Sequence, residues 1–117
     1  MTLSNERLIR PAWFDDTMQE SLQKHSCENS AEHGYYVYQL DALKAHLSQL
    51  KKQDTVKLWF AVKANPLSRI IQSFDDENFN FDVASSGELA QVLKQGVSAK
   101  NILNTGPAKS KKQLSHF

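Results

Sequence analysis

The fold expected from the sequence is of the α/β class, a parallel sheet whose strands alternate with helices. Three observations carry that expectation. Residues 58–62 (LWFAV) are an unbroken apolar run, as a strand covered on both faces requires. From residue 35 onward, strand-like and helix-like patterns take turns along the chain. The connections between them are only a few residues long, as in βαβ units.

Residues 1–34 form an N-terminal extension that is partly loop. Ile9, Trp13, Phe14 and Met18 suggest a short helix with an apolar face. Residues 23–34 (QKHSCENSAEHG) are polar and read as loop. His25 and His33 fall there with no carboxylates at ligand spacing, so solvent exposure explains them better than a metal. Residues 35–39 (YYVYQ) are aromatic and β-branched and predict a short strand.

Leu40, Leu43, Leu47 and Leu50 recur at helical spacing, with Asp41 as a plausible N-cap. Lys44, Lys51 and Lys52 lie off that stripe, and His46 reads as a surface residue. Residues 57–63 form the next strand. There Leu58, Phe60 and Val62 share one side, while Trp59, Ala61 and Lys63 share the other. Asn65 and Pro66 look like the cap and first residue of a helix. Leu67, Ile70, Ile71 and Phe74 would be its buried face.

Residues 75–78 (DDEN) read as a polar turn. Residues 79–84 (FNFDVA) alternate, with Phe79, Phe81 and Val83 opposite Asn80, Asp82 and Ala84. An inward Asp82 on this strand would sit near Lys63. Ser85 and Glu88 have capping-box spacing for another helix. Leu89, Val92 and Leu93 supply its apolar face, and Gly96 ends it. Residues 101–105 (NILNT) predict a third strand, Gly106 and Pro107 a turn, and Ser110 with Gln113 a second capping box.

The bulk composition excludes several classes of function. The chain has 117 residues, 40% hydrophobic and 23% charged, with a net charge of +1. That balance gives no electrostatic case for nucleic acid or an anionic membrane as partner. No apolar run approaches the roughly 20 residues of a membrane span. The first residues lack the apolar segment of a secretory signal. Cys27 is the single cysteine, so an internal disulfide is excluded and a structural zinc site disfavoured. A cytoplasmic location is the expectation.

Lys63 is the residue that suggests chemistry. An apolar strand delivers one amine at its C-terminal end, beside Trp59 and Ala61. Partial desolvation there would favour the neutral, nucleophilic form that attacks an aldehyde. The alternative is a strand-end lysine reaching solvent.

Residues 58–66 (LWFAVKANP), 81–88 (FDVASSGE) and 104–110 (NTGPAKS), in that order, resemble the ornithine/diaminopimelate/arginine decarboxylase family, the fold-type III pyridoxal-phosphate (PLP) enzymes. The resemblance covers about residue 35 to the end. It implies part of an alanine racemase-like TIM-type (β/α)8 barrel, truncated after about three barrel strands, since a whole barrel needs roughly 250 residues. Residues 35–117 would then be an incomplete PLP-binding barrel domain.

The resemblance further implies that Lys63 is catalytic and forms the Schiff base with PLP, and that Asp82 and Ala61 belong to the cofactor site. A carboxylate at Asp82 would favour protonated nitrogen nearby; a polar residue closing a turn is the alternative. Glu88 matches an acidic position of the family, although capping with Ser85 also explains it. Lys109 and Ser110 match the loop after the family's third strand.

The implied activity is decarboxylation of a small-molecule amino acid, in a homodimer. A specialised biosynthetic substrate, such as a siderophore or antibiotic intermediate, is favoured over plain ornithine or diaminopimelate. The alternatives are a non-catalytic binding or regulatory fragment, and a racemase-like or PLP-carrier relative of the same barrel. The glycines Gly34, Gly87, Gly96 and Gly106 are isolated, so no glycine-rich loop cradles the cofactor phosphate. The family's acidic partner for the pyridine nitrogen and its C-terminal β domain would lie beyond Phe117. The expectation is therefore an N-terminal piece, weakly active alone, with a sheet edge and apolar faces that invite association.

Overall fold

The computed structural model describes residues 11–28, 36–107 and 109–115. The chain divides into two units, Met1–Gln39 and Leu40–Phe117.

In the first unit the chain turns at residue 11, where the Phe14 N–H donates to Pro11 O at 2.9 Å. Trp13 and Phe14 meet edge to face, with ring centroids 5.9 Å apart. Asp15 Oδ1 accepts the Met18 N–H at 2.9 Å, and helix α1 follows as Asp16–Glu28. The helix includes residues 23–28, which the sequence suggested were loop. The reason is that a polar run without glycine or proline can still be helical, here with Gln23, Lys24 and Glu28 as good helix formers. Ile9, His33 and Tyr35 lie outside the described residues. The strand expected at 35–39 is not formed over residues 36–39, where Tyr36 and Tyr38 are exposed. Aromatic composition favours a strand only where a neighbour takes up the backbone groups and one face is covered.

The second unit opens with α2, Leu40–Lys51. Asp41 lies in its first turn and not at its cap, a position that still complements the positive helix end. Leu47 is buried, whereas Leu50 is exposed. His46 is exposed, as expected. Strand β1 is Trp59–Ala61, and a 3-10 turn, Val62–Ala64, follows it. The ladder to the next strand ends at Ala61, so the strand is shorter than its apolar run.

Helix α3 is Ser68–Asp76, beginning two residues after the expected start. The Asn65 side chain bends back to accept the Leu67 N–H at 3.2 Å, which holds residues 65–67 out of the helix. At its other end α3 includes Asp75 and Asp76, expected as turn. Asn78 makes the exit with a left-handed φ of 59°.

Strand β2 is Asn80–Val83, helix α4 is Ser86–Lys94, strand β3 is Ile102–Asn104 and helix α5 is Lys111–Ser115. A short 3-10 turn, Ala99–Asn101, leads into β3. Both capping boxes form. The Glu88 N–H donates to Ser85 Oγ at 3.2 Å, and the Ala84 N–H to Glu88 Oε2 at 2.8 Å. The Gln113 N–H donates to Ser110 Oγ at 3.1 Å, and the Ser110 N–H to Gln113 Oε1 at 2.8 Å. Gly96, with φ of 86°, ends α4 as expected.

The three strands form one parallel sheet in the order β1-β2-β3. Phe60 pairs with Phe81, and Phe81 with Ile102. This row points to the helices and builds the core with Val62, Ile71, Val83, Leu89, Val92 and Val97. Phe60 stacks on Phe74 at 3.8 Å and meets Phe81 edge to face at 6.2 Å. The strand faces are therefore those read from the alternation. Leu67 and Leu93 are exposed, contrary to the expected helix faces. Leu93 lines a shallow groove with Ser86, Leu89 and Ala90.

Polar bonds join α2 to the end of α3. Lys44 pairs with Asp76 at 2.8 Å, the Ser48 hydroxyl donates to Glu77 Oε2 at 2.7 Å, and Lys51 Nζ donates to Asn78 O at 2.9 Å. The hydrogen bond that Lys44 donates to Asp76 raises the pKa of the amine above its ordinary value.

Candidate functional site

Parallel strands put their C-terminal ends together, so this edge gathers the residues that follow β1, β2 and β3. Ala61, Asp82 and Leu103 lie side by side in register on the sheet face opposite the helices. Ala61 contributes only a methyl group to that row. Within Leu40–Ser115 the core helices pack on the other face, which leaves this one open. Trp59 and Leu103 on it are 38% and 47% exposed.

Lys63 stands two residues beyond Ala61, on the 3-10 turn and not as the last residue of the strand. Its backbone is set by Val62, which is fully buried, and by the Asn65 N–H donating to Val62 O at 3.1 Å. The Lys63 side chain is exposed, so the desolvation expected beside Trp59 and Ala61 is absent. The cause is the open face itself, because no described residue of this unit buries the end of β1. Among the described residues Lys63 makes no ion pair.

Asp82 is half-buried. Its Oδ1 accepts a 2.5 Å hydrogen bond from the Thr105 hydroxyl, so Thr105 and not Lys63 is its partner. Thr105 also donates its N–H to Val83 O at 2.9 Å, which continues the β2–β3 ladder. Gly106 follows with φ of 96°, and a Cβ there would come within 3.4 Å of Ala84 Cβ. The left-handed φ favours glycine here, whereas the contact with Ala84 is an ordinary one. Thr105 was not singled out from the sequence. Its signal was available as a hydroxyl at the end of the third strand, one strand over from an inward carboxylate.

Glu88 is committed to its capping box, with one oxygen on the Ala84 N–H. Lys109 Nζ donates to Gly106 O, and Ser110 caps α5, so both residues shape the loop after β3. The structure thus brings Ala61, Asp82 and Thr105 together, with Lys63 on the turn beside them. It leaves Glu88 on the helix cap. No group of metal-binding side chains occurs among the described residues, and no helix among them is long and apolar enough to cross a membrane.

Comparison with known proteins identifies the family of this chain. Residues 40–117 match the family of the pyridoxal-dependent decarboxylases, pyridoxal binding domain. The chain is 30% identical to an ornithine decarboxylase of Neurospora crassa over 97% of its own length, and 24% of that enzyme. It is 33% identical to the L-glutamyl-[BtrI acyl-carrier protein] decarboxylase of Niallia circulans over 68% of the chain, and 19% of that protein. It is 32% identical to a diaminopimelate decarboxylase of Campylobacter jejuni over 68% of the chain, and 21% of that enzyme. The chain therefore spans about a quarter or less of the length of these relatives. No solved structure matches it. The matched domain and the relatives agree that this chain belongs to the pyridoxal-dependent decarboxylase family, in its pyridoxal-binding domain.

Proposed function

We propose that this chain serves PLP-dependent decarboxylation of an amino acid and carries the cofactor on the Lys63 amine. The observation that carries the reading is the place of Lys63, an exposed amine at the C-terminal edge of a parallel sheet, next to the open row of Ala61 and Asp82. Those residues fit the group. The amine is accessible to an aldehyde, the methyl of Ala61 leaves room on the face, and a carboxylate stands one strand away.

Lys63 Nζ would take the cofactor's aldehyde with loss of water. When bound, PLP supplies an electron sink at the substrate's α-carbon as the carboxylate leaves. Asp82 would favour a protonated nitrogen beside it. Thr105 holds the Asp82 carboxylate in one orientation. Ala61 leaves the floor of the site open.

The three strands are read as part of a TIM-type (β/α)8 barrel, with residues 1–34 as an extension and 35–117 as the barrel segment. Support comes from the parallel order and from the packing of α3 and α4 together on one sheet face. On the same reading the working form is a cytoplasmic homodimer, and the substrate is an amino acid or a specialised derivative of one. A second reading, a non-catalytic chain that associates with a partner, is favoured by the exposed Trp59 and Leu103 on the open face.

The test is an absorbance titration of the protein with PLP. The reading expects a saturable component that disappears in Lys63→Ala. Identical titrations for the two proteins would overturn it.

A further inference from the structure

We infer that Gln91, on α4, is a positioning residue for the Lys63 turn. The inference rests on the reading of Lys63 given above. The segment that carries Lys63 into α3 has little to hold it. Val62 anchors its start in the core, but Ala64, Pro66 and Leu67 are exposed. Leu67 occupies the N-cap of α3 and makes no side-chain capping bond. Pro66 has no N–H to donate.

What reaches this segment from another element is the Gln91 amide. Its Nε2 donates to Pro66 O at 3.0 Å and to Ser68 Oγ at 3.0 Å. A primary amide nitrogen has two hydrogens, and both are used. A carbonyl oxygen can only accept, so the nitrogen of the amide must be the atom facing Pro66.

The contact is backed by a second layer. Gln95 Nε2 donates to the same Ser68 Oγ at 3.2 Å, and Gln72 Nε2 donates to Gln95 Oε1 at 2.8 Å. The Gln91 amide is thus part of a satisfied network between α3 and α4, and its orientation is set.

The first turn of α4, one turn before Gln91, holds the carboxylate strand. Through its capping box, Glu88 binds the Ala84 N–H, two residues beyond Asp82. One helix therefore ties both sides of the candidate site. Gln91 fixes the chain after Lys63, and Glu88 fixes the chain after Asp82. Loss of the Gln91 donors would free the lysine turn without loosening β2.

The test compares wild type, Gln91→Met and Gln91→Glu by amide hydrogen exchange without cofactor, then by borohydride trapping of PLP with peptide mapping. Met keeps the length of the side chain without the donors. Glu keeps its shape, but its carboxylate cannot donate. The expected result is a loss of protection at Asn65 and Leu67 of about 5- to 30-fold in both variants, with Phe81 and Val83 unchanged. The share of pyridoxyl label on Lys63, relative to the surface lysines, falls in step. Unchanged protection at Asn65 and Leu67 would overturn the inference. So would an equal loss at Phe81 and Val83, which would make Gln91 a general packing residue. A wild-type protein that takes no label on Lys63 would overturn the reading of Lys63 itself, and the exchange data would still judge the clamp.

Discussion

The Thr105 hydroxyl donates to Asp82 Oδ1 at 2.5 Å and links the C-terminal ends of β2 and β3 on the open sheet face. One oxygen of the carboxylate is held, and the pair is only partly buried, so water can replace part of what a mutation removes. Thr105→Val is expected to cost about 1 kcal/mol, and Thr105→Ser to cost clearly less because the hydroxyl remains. Urea unfolding of the two variants checks this. Equal stabilities for Val and Ser would show that the hydroxyl contributes nothing.

Glu88 tests capping against catalysis. Its carboxylate accepts the Ala84 N–H, and Ser85 accepts the Glu88 N–H. Glu88→Ala should lose about 1 kcal/mol of stability. Glu88→Gln retains an acceptor and should keep most of it. Both variants should take PLP on Lys63 as wild type does. A Gln variant that is stable yet unlabelled would return Glu88 to the cofactor site.

Phe81 lies at the centre of the core. It is fully buried, in register with Phe60 and Ile102, and edge to face with the Phe60 ring. Phe81→Ala should cost roughly 3–5 kcal/mol, a large share of what a small domain has. Circular dichroism should show loss of the cooperative transition. A variant that melts within a few degrees of wild type would contradict this core.

Two groups make stability depend on pH in opposite ranges. Burial, and then the neighbouring Asp76, raise the pKa of Asp75 above the ordinary carboxylate range. The folded chain therefore holds that proton more tightly than the unfolded chain. Stability falls as pH rises from the ordinary aspartate value through the raised one. Asp75→Asn should remove this slope and be neutral or stabilising at pH 7. Lys44 is raised by its hydrogen bond to Asp76. Its contribution is fully present below the ordinary lysine value and is lost as pH rises through the raised one. Lys44→Met should flatten the alkaline limb. Unfolding curves across pH for both variants check the signs.

Much of the sheet was legible because burial has a period of two in a strand. Phe60, Phe81 and Val83 were assigned to one face from alternation alone, and their burial follows it. The capping boxes at Ser85 and Ser110 were legible for a similar reason, since they depend on residues three apart. The lost details are those that local pattern does not determine. Leu67 and Leu93 have the right spacing for buried faces, but coverage depends on which neighbour packs there. Lys63 was placed on a strand, yet the ladder stops at Ala61 and the chain turns. Its exposure follows from a sheet face that the described elements of its unit leave uncovered, which no window of sequence around AVKAN records. Thr105 and Gln91 act through contacts with residues more than twenty positions away, so they carry no local signature.

The most direct test of the central claim is borohydride reduction of the protein with stoichiometric PLP, followed by peptide mapping. The account predicts that the pyridoxyl mass falls on Lys63 in preference to other exposed lysines such as Lys24, Lys52, Lys100 and Lys112. A label spread evenly over those lysines, or absent from Lys63, would contradict it.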